Sequence, residues 1–127
     1  MPLVRIDMRA GRPQPFASRV GEIVYRTMSD SMNVPAKDNF QVITEHAPGG
    51  LVYDAEYLGV PRTDGVVFIQ ITLNEGRTVE VKQAFYRKLA DALQAELAVR
   101  VEDVLVSLVE VKKENWSFGN GVAQYVK

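Results

Sequence analysis

Apolar positions first alternate with polar ones, through Leu3, Val4, Ile6 and Met8, and the pattern breaks at Arg9-Ala10-Gly11-Arg12-Pro13. That period of two predicts a short strand. From Phe16 the period lengthens: Phe16, Val20, Ile23, Val24, Thr27 and Met28 recur at three and four residues, one face of an amphipathic helix that Val34-Pro35 ends. Phe40 to His46 reads as a second strand. After Ala47-Pro48-Gly49-Gly50, an irregular stretch to Gly65 precedes a buried strand starting at Val66-Val67-Phe68-Ile69-Gln70-Ile71. A loop of that length in a small protein is expected to serve a site. Thr78 can cap a second helix with Glu80 in its first turn and an apolar stripe of Val81, Ala84, Phe85, Leu89, Ala92 and Leu93. Val104 to Val111 is the fourth strand. The tail reads as a turn, Trp116 to Gly121, and a short closing strand, Val122 to Val126.

These elements repeat. Shifting the chain by 65 residues lays Gly11-Arg12 on Gly76-Arg77, Val34 on Val99, Asp38 on Asp103 and Glu45 on Glu110, strand on strand and helix on helix. The expected architecture is one α/β (α+β) domain, residues 1–127, made of two β-α-β halves, 1–64 and 66–127. Right-handed crossovers then give a four-stranded mixed sheet with both helices on one face and a hairpin or short strand at the C-terminal end. Strands that are apolar on both faces leave the second sheet face needing cover, so self-association into a closed symmetric oligomer is expected.

Composition narrows the chemistry. With 46% apolar and 24% charged residues over 127, the chain can bury a core without metals or disulfides. A net charge of -1 gives no basic field for nucleic acid or anionic lipid, and neither is expected as a partner. No cysteine excludes thiol nucleophiles and Cys-ligated metals, and one histidine, His46, supports neither a His-rich metal site nor a Ser-His-Asp relay. No cofactor and no metal are expected. Met1-Pro2-Leu3-Val4-Arg5 lacks the form of a secretory signal and no stretch is long enough to span a bilayer, so the cytoplasm is the expected location.

Pro2 is the first candidate for chemistry. Methionine is commonly removed before a small residue, and the product would be a free prolyl amine. Such a secondary amine becomes a base near neutral pH when desolvated or placed near arginine; left cationic, it can act as an acid or anchor a carboxylate. A proline there is also what processing and a strand edge alone would produce. With Met1 retained, its nitrogen would be an amide without basicity.

The start Pro2-Leu3-Val4-Arg5-Ile6-Asp7, the strand leading into Gly76-Arg77-Thr78 and the helix with Lys82-Gln83-x-x-Tyr86 resemble the tautomerase superfamily. Val34-Pro35-x-x-Asp38-x-Phe40-Gln41, Glu45-His46, Leu58-Gly59-x-x-Arg62-Thr63, Val66-Val67-Phe68 and Trp116-Ser117-Phe118-Gly119 are similar to its malonate semialdehyde decarboxylase subgroup. The resemblance runs nearly the whole chain. It implies a doubled β-α-β fold, a homotrimer, a catalytic amino-terminal proline and a small anionic oxo-acid substrate. Asp38 matches the acidic residue that positions substrate or water beside the proline; it is equally a turn residue, as its repeat partner Asp103 is. Arg77 matches the arginine that clamps the substrate carboxylate, a task suited to a planar fork of donors; the plainer alternative is a solvated charge before a helix. Trp116, Phe118 and Tyr125 match the apolar pocket wall, though core or subunit contact explains aromatics as well. His46 has no derivable role beyond a structural hydrogen bond. The subgroup carries a second arginine two residues before the one matched by Arg77, and here Glu75 stands instead, beside a one-residue insertion; that departure favours the general tautomerase version. The leading expectation is therefore a cofactor-independent keto-enol tautomerase. The alternatives are a decarboxylase or hydratase-like lyase using the same proline, and a trimeric binding protein without catalysis.

Overall fold

The computed structural model describes residues 1–127. Strand β1 (Leu3–Arg9) leads to helix α1 (Phe16–Met32) and strand β2 (Phe40–His46); strand β3 (Val67–Asn74), helix α2 (Val79–Leu97) and strand β4 (Val104–Val111) follow. Adding 65 to the bounds of β1, α1 and β2 lands within two residues of β3, α2 and β4. The strands form one mixed sheet in the order β2-β1-β3-β4, with β1 parallel to β2, β3 parallel to β4 and the central pair antiparallel.

Side-chain alternation assigns the two faces. Val4, Ile6 and Met8 of β1 and Val67, Ile69, Ile71 and Leu73 of β3 are buried and join Val20, Ile23, Val24 and Met28 of α1 and Phe85, Leu89 and Leu93 of α2 in one core. Fully burying one such side chain is worth about 1.5–3 kcal/mol. Both helices therefore lie on one face. Within the α2 stripe, Ala84 stands exposed.

Local signals explain the helix ends. The Thr78 hydroxyl accepts from the Val81 N–H, and Glu80 sits at the positive end of α2. Thr78→Ala is expected to cost about 1 kcal/mol of stability in urea unfolding, with the slope unchanged. Each helix closes on a left-handed residue, Asn33 (φ 58°) and Ala98 (φ 56°), at equivalent places in the two halves.

The opposite sheet face is sparsely covered: Leu3, Phe40, Val42, Leu105 and Val109 are all exposed. β2 and β4 are its edge strands. The closing strand expected over Val122–Val126 is not formed; the segment is a run of turns. The Gln124 amide donates to the Gly119 carbonyl and accepts from the Phe118 N–H, which folds the tail onto itself and leaves no extended edge to pair.

The candidate site at the amino-terminal end of the sheet

The register brings four chain segments to one end of the sheet. Leu3 lies beside Phe40 and opposite Thr72, and Asn74 lies beside Val111. Because β1 and β2 start where β3 and β4 finish, Pro2, Asp38, Arg77 and the segment after Val111 converge there. The long loop of residues 47–66 leaves from the opposite end, where the guanidinium of Arg9 meets Asp64 at 3.1 Å and Tyr53 donates to the same carboxylate. Within one chain, that loop does not reach Pro2.

Pro2 is buried. The terminal amine, carried by Met1, stands 3.7 Å from Asp38 Oδ2, with both side chains about nine-tenths buried. Burial pushes the pKa of this amine below its ordinary 8.0; Asp38 pulls it back up, while Arg77 and Lys113 push it further down. Asp38 is held by the turn that leaves α1, its N–H donating to the Pro35 carbonyl, and its Oδ1 is buried without a hydrogen-bond partner.

Arg77 is half-buried and is not a solvated charge. Its Nε and Nη2 donate to the Met32 carbonyl at 3.2 and 2.9 Å, and Nη1 donates to the Asn74 carbonyl at 3.2 Å. It thus supplies the cation that the last turn of α1 lacks in its own sequence. The concavity it lines, about 450 Å³, lies between Met32-Asn33 and Gly76-Thr78 and does not include Pro2.

The aromatics gather. Trp116 stacks on Phe118 at 5.3 Å, Tyr125 meets Phe118 edge-on at 5.3 Å, and Phe40 lies 6.4 Å from Phe118. The indole N–H of Trp116 donates to Asn74 Oδ1 at 2.8 Å, which ties this cluster to the residue whose carbonyl Arg77 holds. Phe40 and Asn74 stand in motifs of the sequence without a role in the site, and Lys113 in none; strand register puts Phe40 and Asn74 at this end, with Lys113 just after β4. None of the five principal concavities of the single chain encloses Pro2 with Arg77 and Trp116. His46 bonds Asp7 through Nε2 at 2.6 Å on the sparsely covered face, a structural pairing.

The second half provides an internal comparison. Asp103, 2% exposed, accepts from the Thr63 N–H at 2.8 Å and the Thr63 hydroxyl at 2.6 Å. Arg12 donates to the Gly65 carbonyl at 2.9 Å and lies 4.2 Å over the Phe16 ring; burial lowers its pKa, against the pull of Asp103. The same Asp and Arg occur twice. In the second half the chain itself fills the space beside the carboxylate, whereas in the first half that space holds a chain terminus.

Residues 38–119 match the model of a family described as a tautomerase enzyme. A Bacillus subtilis (strain 168) protein named "probable tautomerase YusQ" is 41% identical over 127 residues, all of both chains. Among solved structures, a malonate semialdehyde decarboxylase inhibited by 3-bromopropiolate is 33% identical with a TM-score of 0.90, over 98% of this chain and 94% of that one. A second malonate semialdehyde decarboxylase structure, described with its decarboxylase and hydratase activities, is 32% identical with a TM-score of 0.89, over 98% and 95%.

Proposed function

The chain belongs to the tautomerase family, and from that premise we propose that it is a cofactor-independent keto-enol tautomerase of a small enolisable oxo acid, working through the nitrogen of Pro2 once Met1 is removed. The observation that carries this reading is the terminal amine beside Asp38, buried and lowered in pKa. Removal of one residue moves the amine about 3.8 Å along the chain, to a position that is already buried. The neutral nitrogen takes the proton of the enol hydroxyl, the electron pair closes the carbonyl as the carbon–carbon double bond opens, and the prolinium returns a proton to carbon. Asp38 orients substrate or water, and its unpartnered Oδ1 is free to accept. Trp116, Phe118 and Tyr125 form an apolar wall that keeps the amine poorly solvated.

The likeness to two malonate semialdehyde decarboxylases supports a second reading. There a cationic Pro2 stabilises the enolate that forms as the carbon–carbon bond to the carboxylate breaks, carbon dioxide leaves and the carbon takes up a proton. Glu75, in place of a second arginine, speaks for the first reading. A substrate panel on processed protein separates them: loss of an enol without carbon dioxide release is expected, and release of carbon dioxide from malonate semialdehyde would establish the lyase.

The active unit on this proposal is a cytoplasmic homotrimer whose subunits cover the exposed sheet face and close the open site. Sedimentation at micromolar concentration is expected to give three times the 14.2 kDa chain mass; a monomer contradicts it. No helix is long and apolar enough to cross a membrane.

A further inference from the structure

Hydrogen bonding fastens the aromatic tail to the rest of the chain at one point. The backbone bonds of residues 116–127 run from Trp116 to Lys113, Val122 to Gly119 and Val126 to Ala123, and Gln124 bonds Phe118 and Gly119, so all of them stay within the segment after β4. The exception is the indole N–H of Trp116, which donates to Asn74 Oδ1 at 2.8 Å. An indole N–H only donates, so the atom that meets it is the carboxamide oxygen, and the Asn74 side chain is held one way round.

Asn74 ends β3 and is half-buried. Leu73 before it belongs to the core between sheet and helices, so alternation turns the Asn74 side chain to the sparsely covered face. Phe40 lies on that face too, because Gln41 beside it reaches the Gly21 carbonyl of α1, and Phe118 rests on Phe40. The main-chain carbonyl of Asn74 serves the other side. It accepts from Arg77 Nη1 at 3.2 Å, while Nε and Nη2 of Arg77 donate to the Met32 carbonyl at the end of α1. Those bonds leave one N–H on each terminal nitrogen of the guanidinium, a pair that suits a carboxylate. Asn74 thus joins the cation on one side of the sheet to the rings on the other, and the pairing of Leu3 with Thr72 sets it beside the first residues of the chain.

We propose that Asn74 is the positioning residue of the site, a latch that sets the aromatic tail at a fixed distance from Arg77. It acts through Trp116 and touches no reacting atom. The role rests on the tautomerase reading above and adds how that site grips its substrate: Arg77 takes the carboxylate, the rings take the apolar end, and both contacts are made together only while the latch is closed. Without it, Trp116 keeps its stacking on Phe118, but the tail has no hydrogen bond to the strand that carries the cation. These contacts are made in the ground state as in the transition state, so the latch is felt in binding rather than in the chemical step.

The probe is 3-phenylpropanoate, a carboxylate with an apolar ring and no oxo group to enolise, titrated calorimetrically into processed protein. Asn74→Leu removes the acceptor at similar size, and Trp116→Phe removes the donor while keeping a ring on Phe118. Each is expected to raise the dissociation constant about tenfold, the loss of one hydrogen bond with its partner left unpaired. The double variant is expected to bind no more weakly than either, since both single changes break the same bond. With the enol of phenylpyruvate as substrate, each single variant is expected to raise KM to a similar extent with kcat nearly kept; a merely structural role would lower the active fraction, and so kcat, at constant KM. Unchanged affinity in Asn74→Leu, losses that multiply in the double variant, a fall in kcat at constant KM, or no binding by the wild type overturns the proposal. Failure of the tautomerase reading registers separately, as full turnover by a Pro2→Ala variant, and leaves the calorimetric comparison intact.

Discussion

Replacing Pro2 by Ala is expected to lower kcat/KM for an enolisable oxo acid by about 10²–10⁴-fold, the range of a positioned acid-base group, while leaving the unfolding curve nearly unchanged. Alanine also permits removal of Met1, so the variant keeps a terminal amine at the same place in the chain but loses the secondary amine and its rigid ring. Acylating the mature terminus is expected to abolish turnover altogether, because an amide nitrogen has no basicity. The pH profile supplies the sign. On the tautomerase proposal the neutral amine is the base, so the rate is expected to rise with pH through the pKa of the Pro2 amine; burial lowers the pKa of the Met1 amine that precedes it. A lyase that needs the cation would instead lose rate as pH rises through the same value. Stopped assays from pH 5 to 9 on intact-mass-verified protein distinguish the two, and a Pro2→Ala variant as fast as the wild type ends both.

The second large effect separates two carboxylates that the repeat makes equivalent. Asp103→Ala is expected to cost about 3–5 kcal/mol of stability, since it leaves the Thr63 N–H and hydroxyl without an acceptor and Arg12 without its buried counter-charge. Asp38→Ala is expected to cost far less stability and to fall mainly on turnover, because one of its oxygens has no partner to lose and the other faces the terminal amine at 3.7 Å. Paired urea titrations and rate measurements on both variants test the contrast. Equal destabilisation by the two would show that Asp38 is a turn residue like its counterpart.

The alternation in β1 and the three-and-four spacing of α1 made the elements legible, since burial of one face is what those periods encode. Thr78 announced the start of α2 by its own hydroxyl. Val122 to Val126 misled because a short, largely apolar run after a turn reads as a strand, whereas the tail closes on Gln124 and packs Tyr125 on Phe118. The long loop after His46 had the length of a site loop, but the parallel pairing of β1 with β2 carries it to the far end. Arg77 shows the limit most clearly. Its residue type fits an anion clamp, and only the folded chain shows that it also binds the Met32 carbonyl through two donors and the Asn74 carbonyl through a third.

The outer strand β4, VLVSLVEV, has one charge, Glu110, in eight residues and no proline. Such a ribbon, with its free row of amides and carbonyls, is a template for indiscriminate stacking until a neighbouring subunit shields it. If the chain assembles as proposed, yield on dilution from denaturant is expected to depend on a race between that assembly and precipitation seeded at Val104–Val111.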